Sequence, residues 1–397
     1  MRRISERTKN RNRTRHGSVR MKMSVSGKVT GPANTNTKLS DGIKPETKVS
    51  SDTPFKWNTW ILGVLIFAFF LLIYWRTCCP TVFWWDSAEF VAAVAILGIP
   101  HPPSFPLYIL VGKLFSFLPL FSLSFKLNFL SGVFAALSLS FFALLLLKLF
   151  RTFFSGLTGD TKMLFIVLIM TLFVAGLNFA FWIQGIRAEV YSLNGLIFIL
   201  LFYCGLNHIA EEKNHQKNPR WLYLFFFIFG LGMASHNVTL LSTLPAFIYL
   251  FVSYDTFGLL KPKSLGAFLI FFLLGCSIYL YLPLRALNSP ALNWGNPASL
   301  EKVVTSALAL KSVKQIGLTL NYTLVERIKD AWIMIYSQFT FLPFLLSLTG
   351  FFFLLRKHFK LFIFFLLLIL GNSATIIILP SEFISTSLDF QGYILPV

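Results

Sequence analysis

Long apolar segments alternate with short polar ones along most of this chain. A membrane-spanning helix needs about 20 predominantly apolar residues, so the segments predict about nine transmembrane helices. Charged side chains stand mostly between these segments, as expected for an all-α integral membrane protein. The predicted spans are residues 57–75, 127–150, 163–182, 191–210, 221–235, 238–252, 265–284, 332–355 and 361–379.

Composition and charge agree with this class. Of 397 residues, 55% are hydrophobic and 13% are charged, and 46 are Phe. The formal charge is +19, and residues 1–56 hold 14 Lys and Arg against 4 Asp and Glu. This part of the chain is also rich in Ser, Thr and Asn. We therefore expect a disordered basic cytoplasmic tail over 1–56, followed by a polytopic membrane domain over 57–397.

The placement of basic residues predicts topology rather than nucleic-acid binding. Short cytoplasmic loops carry excess Lys and Arg, and a cytoplasmic tail puts the other basic groups on the same side. The opposite, outer side then receives residues 84–126, 184–189 and 285–330 and His236. These hold every polar cluster expected within the membrane, which predicts a single outer site. The basic groups are Arg151 with Lys162, residues 211–220, Lys261 with Lys263, and residues 356–360.

The first outer loop carries the strongest candidate chemistry. Asp86 and Glu89 are three residues apart, so they share one face of a helix expected over residues 87–97. The remainder of that helix is apolar, which predicts that it lies at the membrane surface. A proline-rich segment then ends the helix and holds His101. Helix capping by the two carboxylates is the structural alternative to catalysis.

The segment that follows, residues 104–118, fits a re-entrant or interfacial helix or a further span. An additional span would reverse the orientation of all later spans, and the basic groups would then no longer lie on one side of the membrane. We therefore expect it to remain at the interface.

Further polar residues fall on the predicted outer side. Arg187 and Glu189 stand in a polar turn, where they either neutralise each other or offer a cation to an anionic leaving group. His236 lies between two short spans, either in the core or at the site. Arg285 follows an apolar segment, where snorkelling is the alternative to substrate binding. Trp294 lies in a loop with Pro, Gly and Asn, typical of an ordered turn.

Several kinds of site have no signature in the sequence. There is no phosphate-binding glycine loop, nucleophile elbow or metal-ligand triad at recognised spacing. The four cysteines form no CxxC pair, which argues against a zinc or disulfide scaffold. We therefore expect neither a metal nor another cofactor.

A series of short motifs, in order and at similar spacing over about residues 57–304, resembles one known family. The motifs are DSAEF, HPPSFPLY, KLNFLSG, RAEVYSLN, SHNVTLL, YLPLRA and LNWGNPASLEKV. They are similar to polytopic membrane glycosyltransferases that include the animal O-mannosyltransferase of plexin- and Met-type receptor domains. The chain departs from the family where SAEF stands for GEF, HPPSFPL for HPPGYPL, and Gly295-Asn296 for Gly-Asp. It also lacks an acidic pair around Lys311 and stops at YILPV, which suggests a short or truncated member.

The resemblance implies a GT-C architecture and an inverting reaction. Such enzymes take a sugar from a polyprenyl-phosphate carrier on the outer or lumenal side and pass it to an acceptor hydroxyl on a protein or glycan. It implies Asp86 as the catalytic base, and we place Glu89 beside it as a second catalytic carboxylate. The expected substrate-binding residues are His101, Arg187, Glu189, His236, Arg285 and Trp294.

Two other functions stay open. A transporter or lipid-carrier flippase could also line a path with these polar groups, although it should place them near the midplane and show inverted repeats. A catalytically inactive relative could serve as a binding scaffold. We expect a multi-pass protein of the bacterial inner membrane, with the endoplasmic reticulum membrane as the alternative, and the bilayer rather than nucleic acid as a partner.

Overall fold

A computed structural model describes residues 58–119, 121–154, 161–213, 218–254, 262–310, 324–338, 341–378 and 392–393. Within these ranges the chain is helical and contains no β-strand, apart from one isolated bridge between Ile99 and Asn293. The prediction of an all-α fold is confirmed. The predicted tail, residues 1–56, lies outside the described residues.

Fifteen α-helices are described, with one short 3-10 helix at Ser277–Leu280. They are α1 Thr59–Thr77, α2 Asp86–Ile96, α3 Pro106–Ser116, α4 Leu123–Phe153, α5 Thr161–Leu177, α6 Phe179–Gly185, α7 Tyr191–Lys213, α8 Arg220–Met233, α9 Asn237–Ser253, α10 Pro262–Cys276, α11 Tyr281–Ala286, α12 Leu300–Ala307, α13 Leu324–Ser337, α14 Phe341–Lys357 and α15 Phe359–Ile378.

Four helical segments are long and apolar enough to cross a membrane: α1, α4, Tyr191–Glu212 of α7, and Pro262–Ala286. Two bent pairs raise the number to six if each is one span, namely α5 with α6 at 64° and α13 with α14 at 105°. Helices α8 and α9 and the segment Phe359–Thr375 of α15 coincide with predicted spans, but these apolar segments have only 10–17 residues. The count of nine therefore stays a prediction. The expected single span over 332–355 is instead divided between two inclined helices.

The first outer loop contains two short helices. Helix α2 begins at Asp86, one residue before the expected start, and ends where Leu97 takes a left-handed conformation. Helix α3 starts with Pro106 at its first position, which suits the fixed φ of proline. Its 11 residues reach about 16 Å, roughly half the 30 Å hydrocarbon layer, so α3 is too short for a full span. An interfacial position of α2 and α3 stays a prediction.

Helix α4 occupies the centre of the bundle and packs against both α1 and α7. Small and polar side chains permit the close approach to α1, where the Ser140 hydroxyl donates to the Gly63 carbonyl at 2.8 Å. The first turns of α4 also carry Asn128 and Ser131, both fully buried. This end of α4 therefore lies against the loops that carry the candidate site.

Candidate active site

The chain returns on itself after α2 and brings His101 to the first turn of that helix. Beyond Leu97, the Ile99 N–H donates to the Leu292 carbonyl at 2.8 Å, and the Trp294 N–H donates to the Ile99 carbonyl at 3.1 Å. Gly98 permits this contact because a Cβ there would lie 2.9 Å from the Leu292 Cβ. The loop that contains Trp294 thus fixes the segment that contains His101.

Asp86, Glu89 and His101 form one connected cluster. Glu89 Oε1 accepts the His101 backbone N–H at 3.0 Å, and its Oε2 lies 2.5 Å from Nδ1 of the same imidazole. The other ring nitrogen, Nε2, is 3.6 Å from Asp86 Oδ2. The ring also packs edge-to-face on Phe105 at 5.2 Å. The imidazole is therefore held by Glu89 and directed towards Asp86.

The two carboxylates differ in environment. Burial by itself raises the pKa of Glu89. The net effect is nevertheless a lowered pKa, because His101 stabilises the carboxylate through hydrogen bonds from its ring and backbone and through its positive charge. Trp294 lowers the pKa further. The Asp86 side chain is 42% exposed, against 21% for Glu89. Glu89 is thus an ionised group engaged by its neighbours, whereas Asp86 is the carboxylate more open to a substrate.

The same cluster could hold a metal ion. Asp86, Glu89 and His101 each place one ligand atom within 4.8 Å of the others. Carboxylate oxygens with one imidazole nitrogen suit a divalent cation such as Mn²⁺. A cation bound through Nδ1 would have to replace the hydrogen bond between Glu89 and His101. The sequence places His101 at the same site, but it does not predict these close contacts, because His101 lies 12 residues from Glu89 and reaches it only through the loop.

Arg187 and Glu189 form a buried ion pair, with Arg187 Nη1 3.3 Å from Glu189 Oε1 and both side chains at most 1% exposed. Arg187 Nη2 also donates to Gln184 Oε1 at 2.9 Å, and the guanidinium lies 5.8 Å from the centre of the Phe83 ring. Of the two alternatives drawn from the sequence, mutual neutralisation is therefore present in the structure. A contact between Arg187 and a carrier phosphate stays a prediction.

His236 lies between α8 and α9, on the same side as His101. The centre of its ring lies 6.0 Å from the centre of the Phe105 ring and 5.2 Å from that of Tyr191. Because Phe105 also packs against His101, it stands between the two imidazoles. Burial lowers the pKa of His236 to about 4, and the positive charge of His101 contributes. His236 is therefore neutral near pH 7. Sequence reasoning did not single out Phe105, an apolar residue within a proline-rich segment.

Arg285 and Trp294 occupy different positions relative to the carboxylates. Arg285 Nε donates to the Leu97 carbonyl at 2.8 Å and Nη2 donates to the Ile96 carbonyl at 3.2 Å, so the side chain caps the C-terminal end of α2. An 11-residue helix places this end about 16 Å from Asp86. Trp294 lies close enough to Glu89 to help lower the pKa of that carboxyl, and it remains 51% exposed. The structure thus brings Trp294, but not Arg285, to the cluster.

The helices and the cluster define a class: an all-helical, multi-pass membrane protein with an acid–imidazole cluster in the loop after its first apolar helix. Residues 86–257 match the family described as the Protein O-mannosyl-transferase TMEM260 N-terminal domain. This region includes Asp86, Glu89, His101, Arg187, Glu189 and His236, whereas Arg285 and Trp294 lie outside it.

Two curated relatives carry the same name. The Dictyostelium discoideum protein O-mannosyl-transferase tmem260 is 26% identical over 250 residues, covering 60% of this chain and 29% of the relative. Protein O-mannosyl-transferase TMEM260 of Mus musculus is 29% identical over 227 residues, covering 55% of this chain and 30% of the relative. The match spans less than a third of either relative, and no solved structure matches the chain. These findings show that part of the chain is similar to the proteins named protein O-mannosyl-transferase TMEM260, and they confirm the resemblance found in the motifs.

Proposed function

We propose that this chain is a membrane O-mannosyltransferase that moves mannose from a polyprenyl-phosphate carrier to a protein hydroxyl on the outer or lumenal face. The observation that carries the proposal is the Asp86–His101–Glu89 cluster, which lies within the region matched to the family. The names of the two relatives support the sugar and the protein acceptor.

The proposed reaction is an inverting substitution. The acceptor hydroxyl attacks the anomeric carbon of mannose, while the bond from that carbon to the phosphate oxygen breaks on the opposite side. Asp86 accepts the hydroxyl proton, because its carboxylate is the more exposed of the two. The lipid phosphate leaves as an anion and needs no proton. General-base catalysis of this kind contributes about 10²- to 10⁴-fold, and orientation of the substrates supplies much of the remainder.

Glu89 and His101 have supporting roles in this proposal. Glu89 receives both the backbone N–H and the ring Nδ1 of His101, so it fixes the direction of the imidazole. His101 Nε2 then orients the Asp86 carboxylate from 3.6 Å. This arrangement resembles the general pattern in which a reacting group is oriented by a second group that is itself held by a third.

Exposed aromatic side chains support a position at the membrane surface. Trp84 and Trp85, directly before Asp86, are 78% and 63% exposed, and Trp294 is 51% exposed. Tryptophan is enriched at the level of lipid headgroups, which is also where a polyprenyl phosphate places its sugar. We assign Trp294 to substrate binding beside Glu89, and Arg187 to stabilisation of the phosphate. The outer face of a bacterial inner membrane and the lumenal face of the endoplasmic reticulum offer the same chemistry.

The test is a transfer assay with membranes that contain the full chain. Polyprenyl-phosphate mannose and polyprenyl-phosphate glucose, each labelled in the sugar, are supplied with a folded receptor domain as the acceptor. We expect label from mannose, and not from glucose, in the acceptor protein. Movement of the labelled carrier across the membrane without transfer of sugar would instead support a flippase, and binding of the acceptor without transfer would support a scaffold.

A further inference from the structure

We infer that Asn128 is a positioning residue, which joins the loop before Asp86 to the loop that carries Arg187 and Glu189. Its consequence for catalysis rests on the proposed function, whereas its contacts do not. Asn128 lies in the first turns of α4, in the motif KLNFLSG, and its side chain is completely buried. No role follows from the reaction itself for a polar side chain at this position.

The amide of Asn128 bonds to both loops at once. Nδ2 donates to the carbonyls of Cys79 at 2.8 Å and Thr81 at 2.7 Å, in the loop between α1 and α2. Oδ1 accepts the backbone N–H of Ala188 at 2.7 Å. Ala188 stands between Arg187 and Glu189 in the chain. A carboxamide is suited to this position because it supplies two N–H donors and an acceptor in one plane.

Neighbouring contacts complete the same connection. Ser131 lies one helical turn after Asn128, and its hydroxyl accepts the Glu189 N–H and donates to the Glu189 carbonyl, both at 3.2 Å. The Cys79 N–H donates to the Ile186 carbonyl at 3.0 Å. The two loops therefore meet directly and are also fixed to α4.

Burial makes these bonds costly to lose. A buried backbone carbonyl or N–H without a partner is unfavourable, so removal of the Asn128 amide should force both loops to rearrange or admit water. Asn207 provides a matched control. It is another buried asparagine in a long apolar helix, but its Nδ2 donates to the Tyr203 carbonyl of the same helix at 2.8 Å.

The experiment compares the full chain in lipid nanodiscs as Asn128→Ala, Asn128→Asp and Asn207→Ala. Hydrogen–deuterium exchange is measured for residues 79–90 and 186–190, and mannosyl transfer is measured on the same preparations. For Asn128→Ala we expect exchange in both segments to rise by about tenfold or more, since several hydrogen bonds are lost together. Asn207→Ala should leave both segments at the wild-type rate.

Transfer should separate positioning from general destabilisation. We expect kcat of Asn128→Ala to fall by about 10- to 100-fold with little change in the KM for the donor, because binding groups remain while reacting groups are misplaced. Asn128→Asp keeps nearly the same volume and the acceptor for Ala188, but faces two carbonyls with a carboxylate oxygen. It should show the same loss of kcat if the hydrogen bonds of the Asn128 amide, and not the volume of the side chain, position the two loops.

Two results would overturn the inference. The first is unchanged exchange in both segments of either Asn128 variant, which would refute the connection between the loops. The second is raised exchange with wild-type kcat, which would refute the positioning role. If the unmutated chain transfers no sugar at all, the proposed function fails, and the exchange measurement still decides whether Asn128 connects the loops.

Discussion

Replacement of Glu89 by Gln tests the arrangement of the cluster. In Glu89→Gln the remaining carbonyl oxygen can accept the His101 backbone N–H, whose distance to Oε1 is 3.0 Å. The amide nitrogen cannot accept a proton from Nδ1, which lies 2.5 Å from Oε2. One charge-assisted hydrogen bond is therefore lost, worth about 2 kcal/mol. This corresponds to about a 30-fold smaller population of correctly held imidazole.

We therefore expect mannosyl transfer by Glu89→Gln to fall by about 10- to 30-fold, which is less than for loss of the proposed base. The assay measures initial rates with polyprenyl-phosphate mannose on membranes with equal amounts of protein. Glu301→Gln is the control, because Glu301 is an exposed carboxylate in the first turn of α12. A wild-type rate for Glu89→Gln would refute the positioning role, and a loss equal to that of Asp86→Asn would assign Glu89 a direct part in the reaction.

The pH dependence of stability provides an independent check on the same contact. The pKa of Glu89 is lowered in the folded protein, so its stabilising contribution is complete above the ordinary carboxyl pKa and is lost as the pH falls through the lowered pKa. The melting temperature of the unmutated chain should therefore exceed that of Glu89→Gln at neutral pH. The difference should narrow as the solution is acidified below the ordinary glutamate range.

Three further predictions concern other parts of the chain. Arg285→Leu should lower the free energy of unfolding by about 1–2 kcal/mol, because the C-terminal carbonyls of α2 lose their cap. The same variant should reduce mannosyl transfer less than Asp86→Asn does. A larger loss of transfer would place Arg285 at the phosphate. Gly98→Ala should lower the melting temperature, because the new Cβ would lie 2.9 Å from the Leu292 Cβ; unchanged melting would contradict this tight contact. Finally, Lys213→Cys should react with a membrane-impermeant thiol reagent from the cytoplasmic side, and labelling from the outside would refute the predicted topology.

The sequence predicted the main helices because a long apolar segment is a local property of the chain and does not depend on distant contacts. Apolar length alone located α1, α4, α7 and α10, and two carboxylates followed by an apolar segment located α2 to within one residue. The break between α13 and α14 was missed, because the polar residues from Ser337 to Thr340 interrupt the apolar segment 332–355 only briefly. Mean hydropathy over such a segment does not distinguish one straight helix from two inclined ones.

The site was less accessible to prediction, because its contacts join distant parts of the chain. Asp86, Glu89 and His101 were expected to share a site, but their mutual geometry depends on pairing between residues 98–99 and 292–294. Arg285 was expected near substrate, yet it caps α2 through a carbonyl 188 residues away in sequence. Asn128 carried a weak signal, a carboxamide within an apolar helix, but its partners could not be identified without the fold.

The most direct test of the proposed function is mannosyl transfer by Asp86→Asn. Asparagine has nearly the size of aspartate, but it cannot accept the acceptor's proton. Loss of the charge at the first position of α2, whose N-cap is Trp85, costs only about 0.3–1 kcal/mol. The variant should insert in the membrane and melt like the unmutated chain, while transfer from polyprenyl-phosphate mannose falls by about 10²-fold or more. Full transfer activity in Asp86→Asn, in a preparation where the unmutated chain is active, would show that Asp86 is not the base and that its carboxylate serves the start of α2.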